Sequence, residues 1–263
     1  MRFSKKTENI MICLIDEFEK YMDNIKSKNK ECLDQILLSL YYDIIASRNL
    51  IHYIYKNITL DIKKYPHKKK TELFTSYYIP KKIIAEIKDK EKGSISYECG
   101  MKGHKICIHF IIFDEKDFQN TQKYTDYIKK ILIWLNLAFQ CTSCVCSKNL
   151  NIHIYPVTQK KVLPQRMLDI LSPENCNTAV TTGCIESSDI IIFRKEEWFK
   201  VFLHETFHSL GLDFATMSTT HFNRQFKTLF PLKITDLRLY EAYTEVWANL
   251  MNCLFGAFNL LNE

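Results

Sequence analysis

Glycine and proline are scarce in this chain, at 6 each among 263 residues. No segment holds enough glycine for a phosphate-cradling loop, and disordered chains are usually richer in both residues. An apolar fraction of 46% and an aromatic fraction of 13% point instead to a substantial core. A run of about 18 uncharged apolar residues, the minimum for a membrane span, is also missing. The richest stretch, Ile131 to Val145, is shorter and interrupted by polar residues. The opening residues, Met1 to Asn9, contain no apolar signal-peptide core. These absences lead us to expect an intracellular, cytoplasmic protein, or a virion component if the source is a virus. The excess of Ile, Lys and Asn over Arg fits an AT-rich genome, such as that of a large DNA virus or an AT-rich microbe. In such a compartment the 10 cysteines are expected to be mostly free thiols.

The formal charge of +6 is unevenly placed. Residues 1–103 carry 20 Lys and Arg against 14 Asp and Glu, whereas residues 104–263 carry 16 of each. The basic excess sits in a region with helical apolar spacing over residues 7–26 and 31–57, marked by Ile10, Leu14 and Phe18, then Leu33, Leu37, Leu40 and Ile44. A Pro-containing basic linker, Lys63 to Lys70, follows. We therefore divide the chain into an N-terminal helical, lysine-rich region at 1–70 and a second region at 71–263. Lysine runs of this kind can bind nucleic acid, but a solvated charge run is the simpler reading and nucleic acid is not expected as a partner.

The most informative segment is His204-Glu205-Thr206-Phe207-His208. On an α-helix, residues four apart lie about 40° around the axis and roughly 6 Å along it. Both imidazoles can therefore reach one metal ion, and Glu205 can reach a water beside that ion. The flanks support a helix there. Asp189 to Phe193 is β-branched and apolar and reads as a buried strand. A helix over Arg194–Leu210 is expected next, with Glu196 and Glu197 in its first turn, where the helix dipole favours anions. Gly211 is placed to end it. The bland alternative, an amphipathic helix with chance histidines, explains none of this context.

A catalytic zinc site usually has three protein ligands and one open position. His-Glu-x-x-His-x-x-Gly-x-x-His would supply a third histidine, but that position is Phe214, and Asp213 is one residue off. A second helix, expected from about Asp236 to Leu260 with Thr235 or Asp236 as N-cap, carries Glu241 and Glu245 one turn apart. One of them can bind metal while the other accepts a hydrogen bond from a ligand histidine. Spacing alone does not say which.

With these motifs the chain resembles the gluzincin, or thermolysin-like, branch of the zincin zinc metallopeptidases. The resemblance covers roughly residues 105–263. It implies an α+β zincin-like catalytic domain, a mixed sheet packed on the active-site helix, with a C-terminal ligand-bearing helix and the N-terminal helical region beside it. It also implies one Zn²⁺ held by His204, His208 and Glu241, with Glu245 as the partner of His204. Glu205 would be the general base in the hydrolysis of a peptide or protein substrate. The element order agrees: a hairpin of 94–99 and 105–113 turning at 100–103, a helix at 122–139 and a strand at 150–157. Residues 177–182 could then be the edge strand that pairs with substrate, through Asn177, Thr178 and Ala179.

Several features depart from the family. The gap between His208 and Glu241 is longer than in thermolysin, and Tyr240 stands where an Asn usually precedes the ligand Glu. No histidine follows the second helix to stabilise an oxyanion, which leaves Tyr243, Tyr240 and His221 as candidates. Two rival readings are a non-catalytic zinc-binding interaction protein and a nucleic-acid-associated protein that uses the basic N-terminal region. Cys141, Cys144 and Cys146 could hold a metal, but a structural zinc site needs a fourth ligand that Cys176 and Cys184 do not obviously provide. The histidines at 52, 67, 104, 109 and 153 read as ordinary surface or strand residues.

Overall fold

The computed structural model describes Lys5 and residues 28–64, 72–143, 145–164, 166, 168–230 and 237–261. The expected helix at 7–26, most of the basic linker and the expected N-cap at 235 or 236 lie outside those residues. Packing divides the chain into two compact units, Met1–Ala46 with Cys253–Glu263, and Ser47–Asn252.

The described residues form a mixed α and β fold with seven α-helices and one six-stranded sheet. The helices are α1 (Lys28–Tyr55), α2 (Lys81–Lys90), α3 (Thr121–Ala138), α4 (Pro173–Cys176), α5 (Trp198–Ser209), α6 (Thr220–Leu229) and α7 (Leu239–Leu261). The strands are β1 (Thr59–Lys63), β2 (Gly93–Met101), β3 (His104–Ile112), β4 (Asn149–Ile154), β5 (Ala179–Thr181) and β6 (Ser187–Ile192). Their order in the sheet is β1-β2-β3-β4-β6-β5. This agrees with the expected α+β class. Lys63 belongs to β1, which pairs with β2, so the basic segment begins inside the sheet and not as a linker.

The hairpin β2–β3 turns at Lys102 and Gly103, which take left-handed φ values of 51° and 82°. β3, β4 and β6 run parallel, while β5 lies antiparallel to β6 at the sheet edge. Parallel central strands are covered on both faces, so their apolar residues need not alternate with polar ones. Ile111 and Ile191 meet Ile83 and Ile87 of α2 in one buried cluster. On the other face, Phe110 meets Tyr124 of α3 with ring centroids 4.8 Å apart, and α5 packs against β5 and β6.

α5 is shorter than expected at its start. The backbone N–H of Lys195 still donates to Val157 O at 2.9 Å, continuing the extended chain beyond β6. Buried Arg194 donates to the carbonyls of Asn177, Gln159 and Glu174 at 2.8–3.0 Å, which ties down three segments. Glu197, at φ 56°, is the N-cap, so Glu196 and Glu197 precede the helix and do not occupy its first turn. The other end follows expectation. Leu212 N–H donates to Phe207 O and Gly211 N–H to His208 O, the paired bonds of a Schellman motif.

The cysteines depart from the free-thiol expectation in one place. Cys146 and Cys184 form a disulfide, while six other cysteines are free among the described residues. The reason is the parallel register. Asn149 of β4 pairs with Ser187 of β6, so the residues three positions before each strand also come together.

Gly211 has φ 65°, and a Cβ there would fall 3.1 Å from Cys146 Sγ and 3.3 Å from Cys184 Sγ. Gly211→Ala should therefore destabilise the protein by about 1–3 kcal/mol in urea unfolding. An unchanged midpoint would show that this helix end accepts a side chain.

Candidate metal centre

α5 presents His204, Glu205 and His208 on the side away from its buried anchor residues. Phe202, Leu203, Thr206 and Leu210 are fully buried. Trp134 Nε1 of α3 donates to Thr206 Oγ1 at 2.7 Å, and Thr206 donates to Leu203 O, which fixes the rotation of the helix. At its C-terminal end, Ser147 Oγ donates to Ser209 O at 2.7 Å.

The two histidines converge with Glu241 of α7. His204 Nε2 and His208 Nε2 are 3.1 Å apart. Glu241 Oε2 lies 3.3 Å from the first and 3.4 Å from the second. Donors about 2.0–2.1 Å from a tetrahedral ion lie about 3.3–3.4 Å from one another. The triangle thus fits three corners of one coordination sphere, and these residues form the one such cluster among the described residues.

Each imidazole is held from behind by its own carboxylate. Glu245 Oε2 accepts from His204 Nδ1 at 3.2 Å, and Asp213 Oδ2 accepts from His208 Nδ1 at 2.5 Å. A proton held at Nδ1 leaves the Nε2 lone pair for a cation. Glu245 Oε1 in turn accepts from Lys200 Nζ at 2.6 Å and Asn249 Nδ2 at 3.1 Å.

The charges of the metal-free site follow from these contacts. Burial works against the charged form of His208, but the hydrogen bonds to Asp213 and Glu241 outweigh it and hold its pKa at about 10. Hydrogen bonds from His204 and His208 hold Glu241 well below the usual carboxylate range. Burial would raise Glu245, but Lys200 and Asn249 pull it below its ordinary value. Glu205 is 9% exposed. Burial pushes its pKa up to about 7, with His204 and His208 moderating the rise.

The candidate oxyanion donors differ in placement. The Tyr240 ring lies 6.1 Å from that of His208. Tyr243 packs with Phe207, Phe214 and Trp247, facing the aromatic side of α7. His221 is exposed on α6, with its ring beside Phe222. Among the expected substrate contacts, Asn177 O accepts from Arg194 and Thr178 O accepts from Phe193 N–H, so both carbonyls face inward. Val180 pairs with Ile191 between two widely spaced pairs, so the N–H and C=O of Ala179 and Thr181 point away from β6. The open edge is therefore shifted along the strand from the expected 177–179.

Sequence reasoning missed the partner role of Asp213, considering it only as a substitute ligand. It also missed Lys200 and Asn249. Both lie at helical spacing from known site residues, four before His204 and four after Glu245, and that spacing was a usable signal. Comparison of the chain with protein-family models, with curated proteins and with solved structures finds no match.

A cation entering this site must displace the His208 proton. Because the metal-free pKa is raised to about 10, affinity should fall as pH falls below that value, by about tenfold per unit. Calorimetry at pH 8 in buffers of different ionisation enthalpy should show release of about one proton per ion. The same shift gives the metal-free fold stability that is complete below about pH 6.5 and lost as pH rises through about 10. Metal binding without proton release at pH 8 would contradict this assignment.

Proposed function

We propose that the chain is a zinc-dependent metallopeptidase of the zincin type. The observation that carries this reading is the 3.1–3.4 Å triangle of His204, His208 and Glu241 beside the buried carboxylate of Glu205. Two neutral imidazoles and one carboxylate with an open fourth position are the donor set of catalytic zinc, and weakly suit the hard all-oxygen preference of magnesium or calcium. Zinc held there supplies Lewis acidity, which polarises a carbonyl and acidifies water.

The chain's own groups supply the rest. Glu205, with a pKa of about 7 in the metal-free site, is suited to exchange a proton near neutrality. It takes one from water as the oxygen attacks the peptide carbonyl. It returns that proton to the amine as the C–N bond breaks. Glu245 and Asp213 keep the two imidazoles oriented. Of the three candidate donors for the developing oxyanion we take Tyr240, whose ring lies 6.1 Å from that of His208. The outward groups of Ala179 and Thr181 would pair with an extended substrate backbone.

Glu205→Gln should keep zinc and lose peptide hydrolysis by several orders of magnitude, since an amide cannot accept the proton. A near wild-type rate in a peptide-library assay would remove Glu205 as the base. Glu241→Gln should be close to metal-free under mild chelation, whereas Glu245→Gln should keep zinc with affinity or activity lowered about 10–100-fold. The reverse pattern would exchange the two roles.

Ala179→Pro deletes an N–H on the open edge of β5 and leaves the bonds to β6 in place. It should raise KM for an extended peptide about tenfold or more without changing zinc content. An unaltered KM would mean that substrate does not use this edge.

A further inference from the structure

The disulfide lies against the loop that ends the metal-binding helix. Cys146 is 3% exposed, and Cys184 is exposed to solvent. A Cβ on Gly211 would lie 3.1 and 3.3 Å from their sulfurs, closer than ordinary contact. Gly211 is two residues before Asp213, the partner of His208 Nδ1. A second connection runs through Ser147, next to Cys146. Its Oγ donates to Ser209 O and accepts from Ser188 Oγ, and its N–H donates to Ile185 O, next to Cys184. All three serines are fully buried. Three segments, 146–147, 184–188 and 209–213, are thus fastened together one residue beyond a metal-binding histidine.

We infer that the Cys146–Cys184 disulfide is a positioning element of the metal centre, acting through Asp213 on His208, and that its reduction weakens metal binding. This rests on the metal-site reading above. The left-handed turn at Gly211 packs against both sulfurs, so the adjoining loops bound its position. With the sulfurs joined, the 146 and 184 loops form a fixed surface against that turn. With the sulfurs separate, the 146 and 184 loops are joined only by the hydrogen bonds of Ser147 and the strand pairing, and Asp213 loses part of the backing that keeps it on Nδ1. A dithiol reductant can make the change. Its thiolate attacks exposed Cys184 Sγ and releases the Cys146 thiolate. Its second thiolate then displaces Cys184, and the dithiol is oxidised as two electrons and two protons pass to the two cysteines. Modification of the loop would also reach β5, because Cys184 lies between β5 and β6.

The test measures Zn²⁺ affinity of the full chain by competition with a chromophoric chelator, with and without a phosphine reductant. The phosphine and water become the phosphine oxide as the disulfide becomes two thiols, and no competing thiol is added. Reduction should lower zinc affinity of the wild-type chain about 10–100-fold, the range for loss of a ligand's hydrogen-bond partner. Cys146→Ser/Cys184→Ser should show the lowered affinity without reductant and no further response to it. In Asp213→Ala, affinity should start low and change less than about twofold on reduction, because the effect passes through the deleted carboxylate. Circular dichroism of the reduced wild type reports that the fold persists.

An affinity insensitive to reduction would overturn the inference. So would an equal loss in the Asp213→Ala background, which would mean another route. Alkylation and intact-mass analysis showing free thiols at 146 and 184 in the purified protein would also overturn it. A chain that binds no zinc in either state overturns the metal-site reading together with this one. Zinc binding that responds to reduction in a chain without peptidase activity would overturn only the peptidase reading.

Discussion

Three polar atoms within 3.4 Å of one another make a demand that the surrounding residues are arranged to meet. Two imidazole nitrogens that both carried protons inward would repel. A carboxylate beside two neutral rings with lone pairs facing it would repel as well. Carboxylates behind the rings hold the ring protons at Nδ1, so the Nε2 lone pairs and Glu241 converge on one place, and a proton or a cation there resolves the conflict. Without a cation, the hydrogen bonds to Asp213 and Glu241 outweigh burial, favour a second proton on His208 and raise its pKa to about 10. The same convergence of acceptors would favour a metal ion in place of that proton.

That triangle tolerates little movement, and the fold restrains α5 accordingly. Arg194 fixes the chain before the helix through three backbone carbonyls. Trp134 fixes its rotation through Thr206. Ser147 and the Schellman turn at Gly211 fix its end. None of these groups belongs to the triangle, yet each holds the helix or the chain at its ends. A site built from rigid elements loses less to misplacement than one built on loops, because an error of an ångström at a metal ligand is large against a bond of about 2 Å.

Much of this was legible in the sequence, and the parts that were not have a common cause. The metal residues could be read because helical spacing is local: His204 with His208, and Glu241 with Glu245, each span one turn. The hairpin, the existence of the central strands and Gly211 at the helix end were readable from equally local patterns, whereas the parallel pairing of the strands was not. The partner of His208 was not, because Asp213 reaches it through a turn whose shape depends on packing outside the helix. The disulfide was not, because residues 38 apart meet only through the register of β4 against β6. The start of α5 was misplaced because Arg194 is used as a long-range anchor and Glu197 takes a left-handed conformation, neither of which helical propensity foresees. The outward atoms of β5 likewise follow from pairing, since a one-residue change of register reverses which groups face the open edge.

The connection between the open edge and the metal triangle is covalent and short. β5 turns into β6 through the segment bearing Cys184, and β6 leads through Arg194 into α5. Arg194 also holds the carbonyl of Asn177, just before β5. One stretch of chain therefore carries the edge that would receive a peptide backbone, the helix with the two histidines of the candidate metal site and the carboxylate suited to move a proton. Shifting the edge relative to the histidines requires breaking the β5–β6 pairing or releasing Arg194 from a buried place where each of its three nitrogens donates to a carbonyl, and a buried guanidinium without partners is costly. In the proposed peptidase, the distance from backbone recognition to chemistry would thus be set by the sheet itself, so that neither could drift without disturbing the core that both share.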